Sequence, residues 1–273
     1  LDIYSLITQL IAGGIIGFVI GMTGIGGGVL VLPTLTLILG LPPSIAVGTA
    51  SLFTLLPRGY AVFEHHKIRN IDYPLSKIFL VGAIPANLLV ALFITWYVRT
   101  NSENTERIAT VQSYLSMLIG LVLAVAAIML IVQILRPTKL TGDNSSESLD
   151  KVHGRTPKAI FYGLVVGTLI ASTSVGGGVI IVPVLISVFR LSTSKTVGTS
   201  IFISAILGLV NSVIYGASGQ LAWGIALVMA LGSLAGVRAG ARATNVVPDK
   251  LLKIVLTILI LFSAITMAIP SST

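Results

Sequence analysis

The chain has 273 residues, of which 55% are hydrophobic and 10% charged, with a mean hydropathy of +1.01. Soluble domains carry about 25% charged residues, so composition argues against a water-soluble enzyme, and the absence of cysteine excludes disulfides, iron–sulfur clusters and thiolate metal sites. Its 17 Lys and Arg against 9 Asp and Glu give a net charge of +8, but the bases gather between apolar runs, as the positive-inside rule requires, and no nucleic-acid partner is expected.

Apolar runs occupy residues 3–20, 25–40, 44–63, 75–98 and 111–135, then 159–172, 176–190, 196–216, 221–243 and 250–269. Residue 1 is Leu, and residues 3–20 lack the basic leader and small-residue cleavage site of a signal peptide, so they read as a structural helix. A bilayer crossing takes about 20 residues. The runs at 25–40, 159–172 and 176–190 fall short, so the first two runs of each set form either two tilted crossings or one re-entrant hairpin. The polar stretch TKLTGDNSSESLDKVHGRT, residues 138–156, has the composition of a solvated linker. The fold class is an all-α polytopic membrane protein. Its predicted units are residues 1–137, a cytoplasmic linker at 138–157, and residues 158–273, with about five helical segments in each half.

The two halves match at an offset of 150 residues. GGGVLVLPTL at 26–35 faces GGGVIIVPVL at 176–185, and residues 26–49 share eleven identities with 176–199. Charge predicts their relative orientation. The loop after 44–63 is basic (Arg58, Lys67, Arg69, Lys77), whereas its counterpart at 216–220 is uncharged; the next loop holds Arg99 and Arg107 balanced by Glu103 and Glu106, whereas its counterpart is basic. One consistent threading sets fifteen Lys and Arg inside and two outside, with both termini outside and Trp96 and Trp223 near the outer interface. The halves are therefore expected to be inverted repeats, related by a two-fold axis in the membrane plane.

Each half contains one Gly-rich break inside an apolar stretch, GMTGIGGG at 21–28 and STSVGGG at 172–178. A helix that restarts in hydrocarbon turns free N–H groups and a positive dipole end toward a cavity, which suits an anion. The candidate site residues are thus Thr23, Gly26, Gly27 and Gly28 in the first break and Ser172, Thr173, Ser174, Gly176, Gly177 and Gly178 in the second. The competing reading is that these glycines serve only close helix packing. The helix starts VGTAS and VGTSI add Thr49, Ser51, Thr199 and Ser200, whose hydroxyls either line the same cavity or bond back to their own helices. Pro33 and Pro183 are expected to bend their segments. Asn87 and Asn211 lie within apolar spans and serve as interhelical hydrogen bonds or ligand contacts. Arg58 offers an anion a positive charge or snorkels to the interface; Arg238 and Arg242 read as anchors. His65 and His66 beside Glu64 read as a solvated helix end in preference to a metal or proton site. No carboxylate lies deep in a span, which argues against a carboxylate proton relay. Without a nucleophile–base pairing in any span, no enzymatic chemistry, metal or cofactor is expected.

Taken together, GMTGIGGGVLVLP, AVGTASLF, KIRNIDY, STSVGGGVIIVP, TVGTSIFIS and LGSLAGVRAGARA resemble the sulfite exporter TauE/SafE family, within the 4-toluene sulfonate uptake permease group, over nearly the whole chain. The resemblance implies a secondary transporter that moves sulfite or an organosulfonate such as sulfoacetate across the cytoplasmic membrane, and it carries over Thr23, Thr49, Ser51, Thr173, Thr199 and Ser200 as substrate contacts. Arg58 departs from it, standing after Pro57 where relatives often have a small or hydroxyl residue. A negative-inside potential favours export of an anion by alternating access; the alternative is an anion channel of the same architecture. The expected partners are the small anion and the lipid bilayer, and a homodimer is allowed for.

Overall fold

A computed structural model describes residues 3–23, 28–135, 152–175, 177–243 and 249–268. Within them the chain forms ten α-helices and no strand: α1 (Ile3–Thr23), α2 (Gly28–Pro33), α3 (Pro43–Lys67), α4 (Tyr73–Thr100), α5 (Thr105–Leu135), α6 (Val152–Thr173), α7 (Val182–Ser187), α8 (Thr193–Ala217), α9 (Trp223–Ala243) and α10 (Asp249–Ala268). A π-helical turn, Thr34–Ile38, extends α2, and another, Gly177–Ile181, leads into α7. Among the described residues, six helices (α1, α3, α4, α5, α8 and α9) carry an apolar window long enough to cross a bilayer.

The polarity of the bundle is the reverse of a soluble protein's. Leu89, Phe93, Met117, Phe161, Val213 and Phe262 are exposed, while Ser51, Thr54, Asn87 and Asn211 are buried. Lipid offers no hydrogen bonds, so polar groups turn inward and find partners there.

Helix ends follow local chemistry. Pro43 opens α3 at a position where its missing N–H costs nothing. The Asp72 carboxylate caps α4 by accepting from Leu75 N at 3.0 Å. Most helices outrun the apolar runs that announced them, because a helix that continues into water leaves no hydropathy signal. α6 shows this most clearly: it begins at Val152 and is 22 residues long, where the apolar run starts at 159. α2 with its π-turn, and the π-turn with α7, span residues 28–38 and 177–187. At about 1.5 Å per residue each reaches roughly half of a ~30 Å hydrocarbon core.

The offset of 150 residues governs the contacts as well as the sequence. α1 packs most extensively on α9, and α4 on α6, so each half lends its first helix to the fourth helix of the other. Glycine permits the close approach. A Cβ on Gly13 or Gly17 would collide with the carbonyl of Met229 or Ser233; on the counterparts Gly163 and Gly167 it would collide with Phe79 or Ala83. The paired positions advance together, so α4 and α6 run parallel, as do α1 and α9. The turns repeat too. Gly40 and its counterpart Arg190 both have positive φ (65° and 53°), as do Arg69 and Gly219 (55° and 74°). A left-handed Arg costs about 1 kcal/mol relative to glycine, so the turn has outlasted the residue that suits it.

α3 and α8 cross the centre of the molecule antiparallel. Near the start of α3, Thr49 Oγ1 accepts from Ala222 N (3.0 Å) in the loop after α8; near the start of α8, Thr199 Oγ1 accepts from Asp72 N (2.9 Å) in the loop after α3. α6 runs alongside α4 from the same end of the bundle at which α8 begins, so α6 and α7 together enter and leave at one end.

Close backbone approach should make some glycines irreplaceable. Gly82→Ala and Gly232→Ala, whose Cβ would strike the carbonyls of Ile160 and Leu10, are expected to destabilise the detergent-solubilised protein by about 1–3 kcal/mol. Gly59→Ala, with nothing within 4 Å, should leave the thermal midpoint unchanged. Equal midpoints for all three variants would contradict this packing.

Candidate functional site

The break after α6 is a strained, buried turn. Ser174, the first residue past the helix, adopts φ 52° and is 2% exposed. Its N–H still donates to Ile170 O at 2.8 Å. Two neighbouring hydroxyls serve the helix itself: Ser172 donates to Thr168 O (2.9 Å), and Thr173 donates to Leu169 O (2.6 Å) while accepting from Val175 N (3.2 Å).

The carbonyls at the end of α6 draw further donors, since a helix terminus leaves carbonyls without a full set of partners, and Ile170 O takes a second donor beside Ser174 N. α8 supplies two. Asn211 Nδ2 donates to Ile170 O at 2.9 Å, and the Tyr215 hydroxyl donates to Ala171 O at 2.9 Å. These residues stand four apart on a face of α8 that also carries Ser204 and Gly208, all buried.

α3 contributes a matching face of Ser44, Ser51, Thr54 and Arg58, also buried. Ser51 Oγ lies 3.0 Å from Ser174 Oγ and 2.9 Å from Val47 O. A hydroxyl has one proton, so when Ser51 gives it to Val47 it accepts from Ser174. Asn211 Nδ2 lies 3.5 Å from Ser51 Oγ as well. Three elements, α3, α8 and the end of α6, thus meet around one small polar cluster.

Arg58 sits beside that cluster with its charge uncompensated. It is 7% exposed, and its Nη1 lies 3.5 Å from where a Cβ on Gly208 would stand, with Ser51 O 3.8 Å from the same point. Among the described residues no acceptor bonds its guanidinium, and the one ion pair, Glu64–Lys67 at 3.2 Å, is on the surface. An Arg at the centre of a membrane helix costs about 3 kcal/mol or more. Such a charge persists where an anion or water arrives to meet it.

The structure brings together Ser51, Arg58, Ser174 and Asn211. It directs other candidates elsewhere. The Thr49 and Thr199 hydroxyls hold loops at opposite ends, and Ser200 bonds back to Val197 O at 2.9 Å. Gly28 and Gly177 begin helical turns, Gly178 is half-buried within one, and Thr23 closes α1. Gly26, Gly27 and Gly176 lie outside the described residues, as do the side chains of Thr23 and Arg242. Asn87 donates to Gly167 O at 3.2 Å, an interhelical bond between α4 and α6. His66 Nδ1 meets the Tyr73 hydroxyl at 2.7 Å. Arg238 is exposed. Tyr215 escaped the sequence reading, although its spacing of four from Asn211 marks the same face.

A groove of about 520 Å³, lined by Leu89, Leu92, Phe93, Thr95, Trp96, Arg99 and Ser218, lies elsewhere. It is open and largely apolar and contains none of the cluster.

The family model for the sulfite exporter TauE/SafE matches residues 9–267. The chain belongs to the TauE/SafE family. It is similar to the probable membrane transporter protein YjnA of Bacillus subtilis, 27% identical over 259 residues, covering 95% of this chain and 98% of that one. A probable membrane transporter protein of Xylella fastidiosa is 26% identical over 238 residues (86% and 84%), and another, MJ0441 of Methanocaldococcus jannaschii, is 26% identical over 265 residues (91% and 90%). No solved structure matches significantly. This TauE/SafE protein is a multi-pass membrane transporter and not an enzyme, in keeping with its six membrane-length helices.

The two threonine fastenings give a symmetrical prediction. Thr49→Val or Thr199→Val leaves one loop N–H without its acceptor, which should cost about 1–3 kcal/mol. Lying at opposite ends, the two losses should add in the double variant. Thermal unfolding in detergent measures this, and a double variant no worse than either single one would show the bonds to be idle.

Proposed function

We propose that this TauE/SafE protein is a secondary transporter for a small sulfur-containing anion, sulfite or an organosulfonate, and that Arg58, Ser51, Ser174 and Asn211 form its binding site. The single observation that carries the reading is Arg58, a residue only 7% exposed whose guanidinium has no ion-pair or hydrogen-bond partner among the described residues. Its charge attracts the anion, and the Ser51 and Ser174 hydroxyls reorient to donate to it without the cost of a further buried charge.

Alternating access is supported by the relation between the halves. Equivalent helices α3 and α8 run antiparallel across the site, as inverted repeats about an axis in the membrane plane would make them. The fastenings at Thr49 and Thr199 are the two gates in this reading. Opening one end breaks Thr49–Ala222, opening the other breaks Thr199–Asp72, and with both made the site is closed at each end. We assign the end with Lys67, Arg69, Arg190 and Lys195 to the cytoplasm, which sets both termini outside. A negative-inside potential then drives the anion outward. One chain supplies all the site residues, so the mechanism does not require the homodimer.

The test is flux of labelled sulfite from proteoliposomes containing the full chain. Arg58→Gln should lower it about 30-fold or more, the equivalent of ~2 kcal/mol for a buried charge contact, with Arg58→Lys retaining part. Saturable flux with counter-exchange marks a carrier; non-saturating flux marks a channel. Undiminished flux in Arg58→Gln would refute the site.

A further inference from the structure

The face of α8 against which the Arg58 guanidinium lies at Gly208 also carries, one turn on, an acceptor that lacks a donor. Asn211 Oδ1 is buried and has no hydrogen-bond partner. Its orientation is fixed, because Nδ2 donates to Ile170 O at 2.9 Å and a flipped amide would set oxygen against oxygen. Asn211 follows Gly208 by three residues on the face of α8 against which Arg58 Nη1 lies. Ser51 ties the two together, with its carbonyl near Gly208 and its hydroxyl 3.5 Å from Asn211 Nδ2. Gln9, Asn87 and Gln220 also keep an unpaired side-chain carbonyl, but none of them shares a hydrogen bond with the cluster of Ser51, Ser174 and Asn211.

A buried amide oxygen without a donor is costly. A fully deprotonated oxyanion satisfies Arg58 but turns lone pairs toward Asn211 Oδ1. An alkyl sulfonate leaves that oxygen as it was. An anion carrying its own O–H or N–H satisfies both. Charge gives the same answer: Arg58 is the one cation in the cluster, so a singly charged ligand makes the loaded site neutral, whereas a dianion leaves a net charge to be carried through hydrocarbon.

We infer that Asn211 makes the site selective for singly charged sulfur oxyanions that bear a hydrogen-bond donor: hydrogensulfite over the sulfite dianion, and a hydroxylated sulfonate over an alkyl one. This rests on the reading of Arg58 as the anion site, and the experiment separates the two. The full chain in proteoliposomes is tested with ethanesulfonate and 2-hydroxyethanesulfonate, strong-acid anions of equal charge that differ by one hydroxyl. Wild type should favour the hydroxylated anion by about tenfold or more, and Asn211→Leu should reduce that ratio to about twofold or less. Wild-type sulfite flux should also fall as pH rises through the range where hydrogensulfite deprotonates, while 2-hydroxyethanesulfonate flux stays level. That profile decides the matter if Asn211→Leu does not fold. Equal flux of both sulfonates in wild type, an unchanged ratio in Asn211→Leu, or sulfite flux that ignores pH overturns the inference while leaving Arg58 in place. Sulfite and sulfonate flux undiminished by Arg58→Gln, or no flux of sulfite or of either sulfonate in wild type, overturns both readings; where sulfite alone moves, its pH profile decides the inference.

Discussion

In hydrocarbon, helices gain nothing by hiding apolar side chains from one another, because lipid tails are as apolar as leucine. What holds this bundle is backbone laid against backbone. Gly13, Gly17 and Gly232 seat α1 on α9, and Gly163, Gly167 and Gly82 seat α6 on α4. These contacts exchange the first helix between halves, so neither half completes its packing alone. The exchange also fixes the direction of α6, whose end meets α3 and α8 at the centre, and the turn at Ser174 is delivered to Ser51 and Asn211 in consequence.

The central cluster is stable because nearly every group in it is matched. α6 breaks inside the protein, where its terminal carbonyls receive the Asn211 amide and the Tyr215 hydroxyl in place of water. The exceptions are the guanidinium of Arg58, which lies against α8 at Gly208, and the carbonyl oxygen of Asn211 on the same face of α8, opposite in polarity. Unmatched polar groups weaken a fold that has no further use for them. Their occurrence on one face is what supports the proposed binding site.

Much of this was legible in the sequence. Apolar runs located the helices to within a few residues except where they leave the membrane, as at Val152 in α6. The 150-residue offset reappeared in turns, glycines and loop hydrogen bonds. The exchange of α1 and α6 was not legible, since glycine spacing announces a close partner without naming it. Among the candidate site residues, Arg58 and Asn211 stood out because polar groups are rare in such runs. Thr49 and Thr199 stood out for the same reason, yet their hydroxyls bond to loop amides 173 and 127 residues away. A hydroxyl in a membrane helix shows that something polar is near, and only packing shows whether it is ligand or backbone. Tyr215 went unread because its ring suits an apolar helix and its hydroxyl finds Ala171 only after folding.

The halves share a frame but not the equipment of the site. Ser51 corresponds to Ile201, Asn211 to Ala61 and Tyr215 to His65, and Arg58 corresponds to Gly208, the residue beside which its own guanidinium lies. That last pair explains the asymmetry. A residue that meets its own counterpart sits where the two copies join, so an Arg kept in both would set two guanidinium groups within a few ångströms. At about 4 Å and an effective dielectric near 20 the repulsion is ~4 kcal/mol, added to the cost of burying each charge. Glycine in one copy removes the repulsion and also vacates the volume that the surviving side chain fills. A duplicated protein can keep symmetrical loop fastenings, because Thr49 and Thr199 lie at opposite ends and never meet. It can hold only one charge at the join, which is why the proposed site is matched to an anion of single charge.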